Sequence, residues 1–124
     1  MAGAKSPLTP LELEIMKVLW KTGPANVQTV QQNLGRPLAY TTVQTMLNVL
    51  HRKEKVKRTL KQKAYFYRPS ISRAAVAKQT VADLVERLFS GSATSLVMSL
   101  LETQQLSGEE LARLRNLLDE VGRE

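Results

Sequence analysis

The chain contains no cysteine. That excludes a disulfide framework, a zinc ribbon and a thiolate copper site. Histidine occurs once, as His51, so neither a Ser-His-Asp or Cys-His relay nor a multi-histidine metal centre finds support. Beside Arg52 and Lys53, His51 reads as a phosphate neighbour or as a simply exposed side chain. No apolar run approaches the ~20 residues of a membrane span, and Met1 to Pro7 lack the apolar core of a secretion signal. Ser, Thr and Gly do not form a phosphate-cradling loop. Asp83 and Glu86 fall at helical spacing among apolar residues, where a solvated stripe explains them better than an acid/base pair. These absences predict a cytoplasmic protein that is not an enzyme, with no cofactor, no metal and no small-molecule substrate.

Acidic residues are scarce at one end only. Residues 1–70 carry 12 Lys and Arg against 3 acidic residues, Glu12, Glu14 and Glu54. Residues 71–124 carry 6 against 8, within an overall charge of +7. A basic N-terminal module, 1–70, thus precedes a mildly acidic one, 71–124. The first attracts a polyanion by Coulomb steering and counterion release. With 124 residues and 43% hydrophobic content, the chain suffices for one small domain, or a domain with an appendage.

Thr9-Pro10-Leu11-Glu12 has the composition of a capped helix start, with Thr9 as cap, Pro10 in the first position and Glu12 completing a capping box. Leu11, Ile15, Val18 and Leu19 form its apolar stripe, Trp20 belongs with the core, and Thr22-Gly23-Pro24 ends it. Asn26 caps a shorter helix carrying Val27, Val30 and Leu34, closed by Gly35. A third helix runs from Tyr40 to about Arg52. Its cap is weak, because Ala39 has no side-chain acceptor, and it must end at Glu54 or Lys55 without glycine, at some backbone cost. Residues 56–60 and 64–69 read as two antiparallel strands around a basic tip, Lys61-Gln62-Lys63, of uncertain turn type.

The third helix has two unlike faces. Val43, Met46, Leu47 and Leu50 recur at helical spacing and face a core. Thr41, Thr42, Gln44, Thr45 and Asn48 point the other way, short and uncharged, with Arg52, Lys53, Lys55, Lys57 and Arg58 directly after them. An ordinary polar face would satisfy this pattern. So would contact with base edges, flanked by phosphate contacts. Helix, helix, helix, hairpin is the order of a winged helix-turn-helix, in which the third helix enters the major groove and the hairpin tip touches the backbone or minor groove. The expected backbone and wing contacts are Arg52, Lys53, Arg58, Lys61, Lys63 and Arg68, although edge-strand lysines also serve simply to protect an edge.

From Ser72 the pattern becomes purely helical. Ser72 caps a helix containing Val81, Leu84, Val85, Leu88 and Phe89; Ser90-Gly91-Ser92 breaks it. Leu96, Val97, Leu100 and Leu101 make a second, and Ser107-Gly108-Glu109-Glu110 caps a third bearing Leu111, Leu114, Leu118 and Val121. About 50 residues in three short helices cannot easily bury that surface alone. Burial against a second copy is the expectation, through Leu84, Leu88, Leu96, Leu100, Leu111, Leu114 and Leu118; folding back on the first domain is the alternative. A two-fold dimer would read an inverted repeat.

The stretches Leu13 to Trp20, Tyr40 to Leu47, Ala64 to Pro69 and Leu106 to Leu111 together resemble the penicillinase repressor family, also called BlaI/MecI, with the copper-responsive CopY repressors as cousins. The resemblance spans nearly the whole chain. It implies a mainly α, homodimeric winged-helix repressor acting on inverted repeats with TACA/TGTA-like half-sites, commonly over resistance genes. It maps Thr41, Thr42, Gln44 and Thr45 onto recognition-helix contacts. It also implies induction by a membrane metalloprotease sensor that cuts within the dimerisation region. There the family junction is commonly Asn-Phe and this chain reads Ser99-Leu100, which implies either a protease of other preference or a lost switch. The cysteine pair of the copper cousins is absent, Val49 replaces a common Arg, and the tip glycine is missing. Two other readings compete. A winged-helix interaction adaptor that does not read DNA requires an acidic or neutral recognition face, which is lacking. A ligand-sensing repressor requires a pocket for which the C-terminal segment leaves little room.

Overall fold

Thr9 opens the first helix as its sequence predicts. In the computed structural model, which describes residues 7–122, its hydroxyl accepts from the Glu12 N–H at 3.2 Å, and the Glu12 carboxylate accepts from the Thr9 N–H at 2.8 Å. Residues 1–6, most of the stretch read above for a secretion signal, lie outside the described residues. Helix α1 (Pro10–Thr22) ends at Gly23, whose φ of 79° is in the left-handed region that glycine enters freely. Helix α2 (Val27–Asn33) starts on the Asn26 side chain, which accepts from the Thr29 N–H at 2.9 Å. Gly35 does not close it: Leu34 leaves in extended conformation and the Asn33 amide donates back to the Thr29 carbonyl at 2.8 Å. A side-chain cap here replaces the expected left-handed glycine.

Helix α3 (Tyr40–Arg52) begins on Ala39 with no side-chain cap. Glu54 ends it in the left-handed region, φ 63°. The Glu54 N–H donates to the His51 carbonyl and the Lys55 N–H to the Leu50 carbonyl, the two bonds of a Schellman close. Strands β1 (Val56–Lys61) and β2 (Ala64–Pro69) pair antiparallel from Val56↔Pro69 to Lys61↔Ala64. That leaves a two-residue turn of Gln62 and Lys63, both at positive φ (50° and 68°), as a type I′ hairpin requires. Tyr67 exchanges two backbone hydrogen bonds with Ala25, at 2.8 and 3.0 Å, which fastens the hairpin beside the helices. Three helices and this hairpin make the winged helix-turn-helix. Its core is Ile15, Met16, Val18 and Leu19 from α1, Ala25 before α2, Val27 and Val30 from α2, Val43, Leu47 and Leu50 from α3, and Val56 and Tyr67 from the hairpin. Trp20 packs partly buried on that core, and its indole N–H donates to the Ile71 carbonyl at 2.9 Å.

Helices α4 (Arg73–Leu88), α5 (Ala93–Glu102) and α6 (Gly108–Gly122) follow. Ser72 caps α4 through the Ala75 N–H at 3.0 Å. Ser107 and Glu110 form the reciprocal capping box of α6, at 2.9 and 3.1 Å. None of these three helices contains a buried residue. The chain forms two compact units that part between Thr80 and Val81. The Trp20–Ile71 bond and the first half of α4 thus belong to the first unit.

Candidate nucleic-acid interface

Burying Val43, Leu47 and Leu50 turns the opposite face of α3 to solvent. Thr41, Thr42, Gln44, Thr45 and Asn48 are all exposed on it. Among the described residues, Thr41, Thr42, Gln44 and Thr45 make no side-chain hydrogen bond, so their donors and acceptors are open. Asn48 differs. Its carboxamide oxygen accepts from the Tyr67 hydroxyl at 3.2 Å and from the Arg58 guanidinium at 3.3 Å.

The expected cations divide in the same way. Arg52, Lys61 and Lys63 are exposed and form no ion pair among the described residues. Arg68 is exposed and donates to the Thr59 hydroxyl at 3.2 Å, within the hairpin. Arg58 lies with its guanidinium carbon 4.3 Å from the centre of the Tyr65 ring. Lys53 is committed inward. Its ammonium donates to both carboxylate oxygens of Glu12, at 2.8 and 3.1 Å, and Glu12 is 1% exposed. Sequence spacing could not reveal this, because the partners are 41 residues apart. Burial alone would raise the Glu12 pKa; hydrogen bonds from Lys53 and Thr9 and the Lys53 charge outweigh it and hold the carboxyl below its usual range. Lys55 is buried, and burial, followed by the neighbouring Lys53 charge, lowers its pKa against the opposing pull of Glu12.

Two features were not legible as site residues. A cavity of about 300 Å³ opens between α2, α3 and β2, with Gln28, Tyr40, Gln44, Lys63 and Tyr65 on its walls. Tyr40 and Tyr65 are large and roughly half exposed, at 47% and 42%. In the sequence their rings count only as helix-start and strand-forming residues. That both line one cavity depends on how the hairpin docks through Ala25. Exposed aromatic faces beside polar side chains suit sugar or base contact.

A family model described as "Penicillinase repressor" matches residues 8–120. The chain belongs to the penicillinase repressor family. Family members are transcriptional repressors rather than enzymes. A penicillinase repressor of Bacillus licheniformis is 31% identical over 91% of this chain and 90% of its own. A penicillinase repressor of Staphylococcus aureus is 25% identical over 99% of both. The methicillin resistance regulatory protein MecI of Mammaliicoccus sciuri is 25% identical over 90% of this chain and 93% of its own. In this penicillinase repressor family member, cations border the uncharged face of α3: Lys63 shares a cavity with Gln44, and Arg52 and Arg58 share one with Thr45. No group of three or more metal-binding side chains occurs among the described residues, and no single helix there is long and apolar enough to cross a membrane.

Proposed function

We propose that this repressor acts in the cytoplasm as a homodimer on inverted-repeat operators, with Thr41, Thr42, Gln44 and Thr45 facing base edges and Arg52, Lys61, Lys63 and Arg68 facing phosphates. The observation that carries the reading is the open, uncharged face of α3: four hydrogen-bonding side chains without an internal partner among the described residues, opposite the buried Val43, Leu47 and Leu50. The dimer rests on the second unit, where Leu84, Leu88, Leu111, Leu114, Leu118 and Val121 are 39–69% exposed. Covering a large aliphatic side chain yields about 1.5–3 kcal/mol, so a few such contacts per copy hold a dimer together. Leu96 and Leu100, of the same predicted interface, are partly covered already.

Release is assigned to cleavage between Ser99 and Leu100 by a membrane metalloprotease sensor, as the family resemblance implies. That bond lies inside α5, and the Ser99 carbonyl accepts from both the N–H and the hydroxyl of Thr103, at 3.0 and 2.8 Å. A protease needs extended backbone, so α5 must open before it is cut.

The test is a selection of double-stranded sites from a randomised pool, followed by affinity measurements across salt. Enrichment of a two-fold symmetric motif is expected. With ~6–10 phosphates neutralised per dimer, affinity should fall ~10³–10⁵-fold between 50 and 200 mM salt. No enriched motif, or affinity indifferent to salt, rejects the reading.

A further inference from the structure

Asn48 shares the exposed face of α3 but is not equivalent to its neighbours. Arg58 can only donate, so the Asn48 atom 3.3 Å from its Nη1 must be the carboxamide oxygen. The Tyr67 hydroxyl donates to the same oxygen at 3.2 Å. Both lone pairs are then occupied. Bidentate reading of adenine by an asparagine needs that oxygen free to accept from the base while the amide nitrogen donates. As placed here, Asn48 cannot do this.

It can hold Arg58. The guanidinium is gripped on one edge by the Asn48 oxygen and rests over the Tyr65 ring at 4.3 Å. A planar cation fixed at an edge and a face has lost most of its freedom before any ligand arrives, and of its five N–H donors only one is used. It borders a notch of about 430 Å³ between the second half of α3 and β1, whose other walls are Thr45, Asn48, His51 and Arg52. No carboxylate lines it. The notch accordingly offers donors and positive charge to one acceptor-rich anionic group.

The geometry points to a preformed seat for a single DNA backbone phosphate in this notch, with Arg58 as the donor and Asn48 as its positioning residue rather than a base reader. The inference deepens the DNA-binding reading above and rests on it. One acceptor thereby ties recognition helix, first strand and second strand together. Helix and wing approach the duplex as a set piece.

Salt slopes on an arbitrary duplex, read beside the motif enriched from a randomised pool, separate a phosphate bracket from a base reader. Asn48→Ala and Arg58→Ala should each reduce the slope of log affinity against log salt by ~1–2 per dimer. The double variant should fall no further than Arg58→Ala alone, and the enriched motif should stay as in the wild type. Tyr67→Phe, which removes one of the two donors to Asn48, should give a smaller reduction. A changed base preference in Asn48→Ala with its slope intact would make Asn48 a direct reader and overturn the seat. Additive slopes, or no change in either property, would overturn it as well. If the wild type binds duplexes with a salt slope but enriches no motif, sequence reading fails while the bracket is still decided by the slopes.

Discussion

The first unit encloses an apolar core and the second does not. In the winged-helix unit, α1, α2 and α3 all turn apolar side chains inward, and the twelve core residues are 0–9% exposed. In α4, α5 and α6 no residue is buried. Both units show helical periodicity, and the helix that lacks a side-chain cap, α3, lies in the first. Local pattern therefore makes a helix in either place, but only the first unit has enough elements around one centre to keep water from leucines such as Leu19, Leu47 and Leu50. The second leaves Leu84, Leu88, Leu114 and Leu118 open to solvent, the feature on which the proposed dimer rests.

Four measurements would break or sharpen that contrast. The largest effect is expected from Leu114→Asp. A carboxylate placed twice across a symmetric interface should dissociate the dimer and weaken operator binding at least ~100-fold, through lost burial of about 1.5–3 kcal/mol per copy and the cost of the charge. Sedimentation showing an intact dimer would contradict it. Next, the same truncation should have different consequences in the two units. Leu47→Ala, in the core, should cost about 2–5 kcal/mol at any protein concentration. Leu118→Ala should lower thermal stability only where dimer is populated, so its effect should vanish on dilution. Equal, concentration-independent losses would mean that the second unit packs within one chain.

The third effect concerns the charge buried behind the recognition helix. The folded Glu12 carboxyl titrates below its ordinary 4.5. Its contribution to stability is therefore fully present above that value and is lost as pH falls through the lower, folded one. Glu12→Gln keeps a capping-box side chain but removes the charge. It should cost about 1–2 kcal/mol near neutrality, a modest figure because the Lys53 side chain keeps 29% exposure. Acid unfolding curves of variant and wild type should then converge below that range; parallel curves would show that Glu12 contributes no proton linkage. The smallest effect is a gain. Glu54→Gly relieves a side chain at φ 63°, and should raise stability by about 1 kcal/mol without altering operator affinity. A lower melting temperature would mean that the Glu54 side chain contributes more than its strain removes.

Much of this was legible because it is local. Capping boxes at Thr9–Glu12 and Ser107–Glu110 are three residues wide, and both form. The glycine-free end of α3 predicts backbone cost, and Glu54 bears it. The division of α3 into an apolar and an uncharged face follows from helical spacing alone. What escaped depends on partners distant in sequence. Lys53 reads as one of a run of cations until Glu12, 41 residues earlier, folds against it. Asn48 reads as one of five equivalent polar residues until the hairpin brings Tyr67 and Arg58 to its oxygen. The turn type at Gln62-Lys63 was illegible for another reason. Neither residue favours positive φ, so strand register imposes a geometry that sequence preference alone would not choose.

The side of α3 proposed to face base edges, Thr41, Thr42, Gln44 and Thr45, carries no charge, while Arg52 and Arg58 border a notch beside Thr45. In the proposed complex, choice of target and strength of hold fall to different chemistry. On the proposed reading, a shift in a cell's potassium would change how long the repressor remains seated, and leave untouched which gene it silences.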